Sequence, residues 1–271
     1  VVAFHEQWYA RSPWTLIAVG DVPTDELRDA VDDVFGGRGS VDKGGAAMRS
    51  IPDPPPVSDR MLFVPRQDAV QSEIRIGHAG VARRSPDYYA LRVLNMVLGG
   101  QFVSRINLNL REAKGYTYGA RTSFDWRVGR GPFSLQASVQ TQATVAAIGE
   151  AIREITDIRD RRPATEAEVV VAQAALTRGF PRSFETAAQI ARAGLQLALH
   201  GLDDDEFTQF VPRILAVDPD EVSRVASLHL HPAELRAVVV GSPSDVLDGL
   251  ASLGLGTPVE CPNADPAAGS V

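Results

Sequence analysis

The chain has 271 residues, of which 44% are hydrophobic and 23% charged, with a formal net charge of −7. These values are typical of a globular protein with one large domain or two smaller ones. The acidic balance, without clusters of lysine and arginine among aromatic residues, argues against nucleic-acid binding. No apolar run approaches the roughly 20 residues of a membrane span. We therefore expect a soluble protein and favour the cytoplasm, although the compartment stays undetermined because the single cysteine, Cys261, permits no internal disulfide.

The first 38 residues show a helix, strand and helix in that order. Residues 1–10 are predicted as the end of a helix, and the apolar run Trp14 to Val19 is predicted as a buried strand. Thr24 then caps a helix that ends at Gly36. The same order recurs near the other end of the chain, with a helix, a strand and a helix predicted at 222–230, 235–240 and 244–253.

The glycine turns at Gly20 and Gly241 lie about 220 residues apart, and we interpret the recurrence as an internal duplication of a whole domain. The alternative is that any helix, strand and helix with a glycine turn has this appearance. The glycine- and proline-rich run between the copies follows a helix, so it does not fit a phosphate-binding loop. The predicted divisions are a tail of a first repeat, a linker, a complete second domain and a flexible C-terminal tail, at 1–38, 39–58, 59–258 and 259–271.

The second repeat begins with strands and continues with helices. Its alternating strands are predicted at 60–64, 72–80, 116–127 and 132–139, and three or four helices follow before a last strand. This order predicts an α+β fold, with an antiparallel-rich sheet and helices packed on one face.

The candidate functional residues lie between Ser104 and Ala120, in the sequence SRINLNLREAKGYTYGA. A short helix is predicted over 104–113, with Gly115 as the left-handed residue that ends it. Arg111 lies near the helix end, from where its guanidinium can extend beyond the helix. Tyr116 and Tyr118 are two residues apart and would share one face of the strand that follows.

This stretch resembles the signature L-R-E-x-x-G-x-x-Y in the C-terminal half of M16 zinc proteases, the pitrilysin, insulinase and processing-peptidase family. Its defined positions are Leu110, Arg111, Glu112, Gly115 and Tyr118, and Tyr116 lies at an open position between them. The resemblance implies that Arg111 and Tyr118 hold substrate beside a zinc ion supplied by the other half. It also implies an M16-like fold of two tandem repeats, whose first copy ends similarly to Val19-Gly20-Asp21 here. In such a fold the two halves close around a chamber that admits short or unfolded peptides.

The chemistry of the two side chains agrees with that role. A guanidinium and a phenolic hydroxyl are two donors that can stabilise the oxyanion formed when a peptide carbonyl is attacked. The competing interpretation makes Arg111 a solvated charge at a helix end and Tyr118 a core aromatic residue with its hydroxyl at the rim.

The five histidines do not form a familiar zinc motif. The H-x-x-E-H motif of the family is absent, and His5 is followed by Tyr9 where H-E-x-x-H would need histidine. His229 and His231 diverge if they end a helix, and the acidic run 203–205 fits a solvated helix start better than a calcium loop. We therefore expect no metal or cofactor in this chain, and zinc in a partner half.

These observations predict the substrate-binding, zinc-free part of an M16-like metallopeptidase, inactive by itself. The expected substrate is a peptide, and the expected partner is an H-x-x-E-H half, either in cis or as a second subunit. A rival hypothesis is a structural or assembly subunit without hydrolysis, of the processing-peptidase type found in respiratory complexes. The presence of both Arg111 and Tyr118 favours the first hypothesis, since a scaffold would not require them.

Overall fold

The computed structural model describes residues 1–6, 9, 14–36, 52–53, 55 and 58–261. Most of the predicted linker and residues 262–271 of the predicted tail lie outside this part of the chain. The chain divides into two compact units, one of residues 1–52 with 181–204 and one of residues 53–180 with 205–271. Within the described residues, no helix is both long and apolar enough to cross a membrane.

The described strands, in chain order, are β1 (Met61–Pro65), β2 (Gln71–Ala79), β3 (Thr117–Phe124), β4 (Pro132–Gln140), β5 (Arg236–Gly241) and β6 (Val259–Glu260). The α-helices are α1 (Val2–His5), α2 (Thr24–Phe35), α3 (Tyr88–Asn95), α4 (Arg105–Asn107), α5 (Thr144–Asp157), α6 (Glu166–Arg178), α7 (Ala187–His200), α8 (Glu206–Leu215), α9 (Pro219–His229) and α10 (Pro243–Leu250). Two π-helical segments, Met96–Gly100 and Leu108–Ala113, continue α3 and α4.

The first unit contains α1, α2 and α7, and it corrects one prediction. The run Trp14 to Val19 is irregular and exposed rather than a buried strand. A strand needs a neighbour to pair its backbone N–H and C=O groups, and the described residues provide none for this run. The ring of Trp14 instead packs near Phe35, with 4.9 Å between ring centroids.

The second unit is built on one mixed sheet of six strands in the order β3-β4-β2-β5-β1-β6. β2 is antiparallel to β4 and β5, and β3 is antiparallel to β4, whereas β1 is parallel to β5 and β6. The predicted α+β, antiparallel-rich sheet is confirmed. The flexible C-terminal tail was predicted to begin at residue 259, but Val259 and Glu260 form β6 beside β1.

Alternation along the strands separates a buried face from an open one. On β2 the residues Ile74, Ile76 and His78 are buried, as the alternating pattern predicts, and on β4 every second residue from Phe133 to Val139 is buried as well. The helices pack on this buried face. The residues between them are exposed or half-buried and form the open face of the sheet.

Capping residues fix the starts of two helices. Thr165 and Glu168 form a capping box at the start of α6, and the Asp218 side chain accepts a hydrogen bond from the Glu221 backbone N–H at the start of α9. The predicted cap at Thr24 is wrong, because Thr24 is the first residue of α2, Pro23 precedes it, and the helix start has no side-chain capping bond. Residues 181–204 belong to the first unit, whereas the predicted divisions placed them in the second domain. The internal duplication stays a prediction.

Candidate functional site

The predicted short helix before Gly115 is α4 followed by a π-helical segment. Gly115 has a φ of 66°, so the predicted left-handed residue at its end is confirmed. The backbone N–H of Tyr116 then donates to the Leu110 carbonyl at 2.8 Å and turns the chain into β3. Arg111 and Tyr118 therefore lie on consecutive elements joined by this tight turn.

Tyr118 lies in a β-bulge near the start of β3. Thr117 pairs with Val139 and Ala120 with Ala137, so three steps along β3 match two along β4. The bulge interrupts the alternation, and Tyr118 is 92% exposed. The interpretation of Tyr118 as a core aromatic residue is therefore wrong.

Tyr116 occupies a different environment from Tyr118. It precedes β3 and is partly buried against the hydrophobic core. The prediction that the two tyrosines share one strand face is wrong, because Tyr116 is not in the strand and the bulge follows it. The two hydroxyl groups can therefore be tested separately.

Arg111 stacks on Phe102, with its Cζ atom 3.9 Å from the ring centroid. Its Nη1 atom lies 3.5 Å from Glu112 Oε1, and its side chain is 31% exposed. Within the described part of the chain, this Nη1 is buried and makes no hydrogen bond. The Glu112 carboxylate compensates part of the charge, and a ligand oxygen that reached the guanidinium would add a hydrogen bond that the unbound protein lacks.

Phe102 and Tyr118 line the same open groove, whose volume is about 540 Å³. The groove follows the open face of β2, β3 and β4 and is bounded by the loop after α3. Its lining consists of Glu73, Arg75, Asn107 and residues 99–102, 118–121 and 136–138. Arg111 does not line the groove, but its guanidinium stacks on Phe102, which does.

Asn107 joins β3 to the loop that bounds the groove. Its Oδ1 atom accepts a hydrogen bond from the backbone N–H of Ala120 at 2.9 Å, directly after the bulge. Its Nδ2 atom donates to the Gln101 carbonyl at 3.1 Å and to Ser104 Oγ at 3.2 Å. Because Asn107 is buried, these bonds fix the strand that contains Tyr118 against the loop that contains Phe102.

Arg105 anchors the helical segment that ends near Arg111. Its Nε donates to Glu168 Oε1 at 2.6 Å, and its Nη2 donates to Glu168 Oε2 at 2.7 Å and to the Pro163 carbonyl at 2.8 Å. Burial alone would raise the pKa of Glu168, but hydrogen bonds from Arg105 and Thr165 outweigh it and lower the pKa to about 2. α4 and α6 are therefore joined by a charged, bidentate contact.

From the sequence, Arg111 and Tyr118 were proposed as site residues, which stays a prediction, and Phe102, Asn107 and Arg121 of the groove were not considered. Arg121 could have been found, because polar residues alternate with buried ones on β3 and β4. Asn107 is a polar residue between two apolar ones, Ile106 and Leu108, which is a weaker signal. Nothing in the sequence indicates that Phe102 covers Arg111.

The described residues do not fit a zinc site. His229 Nε2 lies 2.5 Å from Asp87 Oδ2, and His78 Nε2 accepts a hydrogen bond from the His231 backbone N–H at 3.3 Å. Burial lowers the pKa of His78. In the described ranges, no group of three or more histidine, cysteine, aspartate and glutamate residues could hold a metal ion.

Comparison with known families decides the assignment. Residues 1–176 match the family model described as the peptidase M16 inactive domain. The chain belongs to the M16 peptidase family.

Curated relatives agree with this family. The chain is 27% identical over 246 residues to uncharacterised zinc proteases of Mycobacterium bovis and Mycobacterium tuberculosis, an alignment that covers 88% of the chain. The chain spans about half of the length of these relatives, since the same alignment covers 54% of each of them.

Solved structures show the same fold at low sequence identity. The peptidase M16 inactive domain from Pseudomonas fluorescens matches with a TM-score of 0.69 and 20% identity, over 79% of this chain and 51% of that one. A chain of complex III2 from Candida albicans matches with a TM-score of 0.64 and 15% identity, over 87% of this chain and 57% of that one. Chains from these two sources thus share the fold of this chain.

Proposed function

We propose that this M16 chain holds a peptide substrate through Arg111 and Tyr118, for hydrolysis at a zinc site supplied by another half or subunit. The observation that supports this proposal is the placement of Tyr118, which is 92% exposed in a bulge beside an open groove. In the described residues its hydroxyl has no hydrogen-bond partner, so the ring and the hydroxyl are both free to meet a ligand. An aromatic ring that is exposed to this extent contributes little to the stability of the fold, because it buries little apolar area.

Both side chains offer hydrogen-bond donors to a carbonyl oxygen. Tyr118 would donate from its hydroxyl and Arg111 from its guanidinium. Such donors accelerate a reaction when they are already oriented before negative charge develops on the oxygen. Phe102 contributes to that orientation for Arg111, since its ring holds the guanidinium by a cation–π contact.

The rival proposal is a structural or assembly subunit, and the likeness to a chain of complex III2 shows only a common fold. A scaffold gains nothing from a tyrosine ring left 92% exposed beside a groove. The exposed hydroxyl of Tyr118 and the guanidinium of Arg111, whose Nη1 makes no hydrogen bond among the described residues, favour substrate binding, because each can donate to a ligand oxygen.

The proposal predicts that peptide hydrolysis requires this chain together with an H-x-x-E-H half. The purified chain alone should retain no stoichiometric zinc and should not cleave a fluorogenic peptide, whereas both halves together should cleave it. Metal analysis and initial rates of each half and of the mixture provide the measurement. Equal activity of the zinc-bearing half without this chain would favour the scaffold, and one tightly held zinc ion per copy of this chain would contradict the division of labour.

A further inference from the structure

The open face of the sheet presents a row of three polar residues across neighbouring strands. Gln136 on β4 pairs with Arg75 on β2 and with Arg121 on β3, so the three lie side by side in the floor of the groove. Arg121 is exposed, and its Nη2 donates to Gln136 Oε1 at 3.1 Å. Adjacent strands are about 4.8 Å apart, which separates the two arginine backbones by roughly 10 Å.

The two arginines differ in their charge partners. Arg75 lies 3.4 Å from Glu73 Oε2, the only carboxylate in the lining of the groove, and Ser138 also donates to Glu73. Arg121 makes no ion pair within the described residues and has only a neutral amide beside it. The floor of the groove therefore has one unbalanced positive charge, although the chain as a whole has a net charge of −7.

The geometry points to Arg121 as a specificity-determining residue that binds a carboxylate of the peptide. This inference rests on the proposed function of the groove, and it names the class of peptide that the groove prefers: one with an acidic group close to the bond held by Tyr118. A guanidinium beside neutral neighbours attracts a carboxylate and repels lysine and arginine side chains, which adds selectivity as well as affinity.

The distance between the two positions sets where the acidic group lies in the peptide. Arg121 is three residues beyond Tyr118 on β3, and one of these residues is the extra residue of the bulge. At about 3.3 Å per extended residue, the separation is roughly 7–10 Å. An extended peptide would then place its carboxylate two or three residues from the carbonyl that Tyr118 contacts, either as an acidic side chain or as the terminal carboxylate.

The test measures peptide binding by the assembly of this chain with its zinc-bearing half, using fluorescence anisotropy. The labelled peptides differ at one position, two or three residues from the central peptide bond, which is Glu, Gln or Lys. Each peptide is made in two forms, with a free and with an amidated C-terminus. Wild type should bind the Glu peptides about two- to fivefold more tightly than the Gln peptides, the effect of one exposed ion pair. This preference should weaken as salt is added. If the terminal carboxylate is the ligand, the Glu and Gln peptides should bind equally, and amidation of the C-terminus should weaken the binding of both.

Variants at Arg121 test the assignment directly. Arg121→Gln should remove the preference, and Arg121→Glu should reverse it in favour of the Lys peptides. Arg127→Gln is the matched control, because it removes the same charge from an exposed arginine that already pairs with Asp125 outside the groove. It should leave the preference intact.

The possible failures are distinguishable. Equal binding of all four peptides, Glu and Gln with free and amidated termini, or an unchanged preference in Arg121→Gln, would overturn the role of Arg121 and leave the role of Tyr118 standing. A preference that depends on Arg121, together with normal kcat in Tyr118→Phe, would overturn the role of Tyr118 alone. Absence of any peptide binding would overturn both.

Discussion

Replacing Tyr118 with phenylalanine is expected to lower kcat of the assembled enzyme roughly 10²- to 10³-fold, the usual effect of losing one oxyanion donor. The substitution removes one hydroxyl and keeps the ring. Because that hydroxyl has no partner among the described residues and the ring is 92% exposed, the fold loses no contact. We therefore expect a melting temperature close to that of the wild type. The measurement is steady-state kinetics with the zinc-bearing half present, beside thermal melts of the same samples.

Tyr116→Phe is the matched control for this substitution. Tyr116 is two residues away and also loses only a hydroxyl, but it packs partly against the core and does not line the groove. Its kcat should stay near the wild-type value. If Tyr118→Phe instead retained wild-type kcat/KM, the substrate-holding role would be wrong and the scaffold proposal would replace it.

Arg111→Ala is expected to reduce kcat by a similar factor, since it removes the second donor of the same pair. The fold should lose about 1–2 kcal/mol, because the contact of Arg111 with Glu112 is partly exposed and its cation–π contact with Phe102 is of similar size. Phe102→Leu adds a finer test. It removes the cation–π contact but leaves both donors, so we expect a smaller decrease in kcat, with partial recovery in Phe102→Tyr. Equal kcat in Phe102→Leu and wild type would show that the ring does not position the guanidinium.

The sheet could be predicted from sequence because β2 and β4 alternate strictly. Burial of every second residue from Phe133 to Val139 requires one face toward the core, and only a period of two satisfies that requirement. A capping box is a signal of the same kind, since the hydrogen bond of Thr165 with Glu168 is local in sequence. Such signals depend on neighbours along the chain and not on the tertiary structure.

The groove could be predicted only in part, because its shape depends on contacts between distant residues. The bulge at Tyr118 follows from the register of β3 against β4, which a single strand does not reveal. The close approach of Gly99 to Thr122, where a β-carbon would lie 2.5 Å from the hydroxyl oxygen, is likewise invisible until both segments are placed. The error at Trp14 has the same origin, because an apolar run becomes a strand only where a partner strand is available.

Replacing Arg105 with methionine is expected to produce the largest loss of stability among the variants considered. Arg105 is 7% exposed and donates two hydrogen bonds to Glu168 and others to the carbonyls of Arg162 and Pro163. Methionine keeps much of the apolar packing but leaves those acceptors without their donor. Breaking a fully buried pair costs about 3–5 kcal/mol. The Glu168 side chain is 32% exposed, so we expect a decrease in the free energy of unfolding of about 2–4 kcal/mol.

The exposed pair of Arg75 and Glu73 supplies the control. Their side chains are 51% and 50% exposed, and Arg75→Met should cost less than about 1 kcal/mol. Urea denaturation at pH 7 of wild type and both variants provides the comparison. A destabilisation by Arg105→Met no larger than that by Arg75→Met would show that the bidentate contact does not anchor α4.

The difference between wild type and Arg105→Met should also depend on pH in a defined direction. Because the folded protein lowers the pKa of Glu168 from 4.5 to about 2, the carboxylate binds protons less readily in the folded than in the unfolded state. Its contribution to stability is therefore fully present above pH 4.5 and is lost as the pH falls toward 2. Repeating the denaturation between pH 7 and pH 3 should show the gap between the two proteins narrowing below about pH 4.5. A gap that stayed constant or widened would mean that Arg105 stabilises α4 through its carbonyl contacts and packing, and not through its charge.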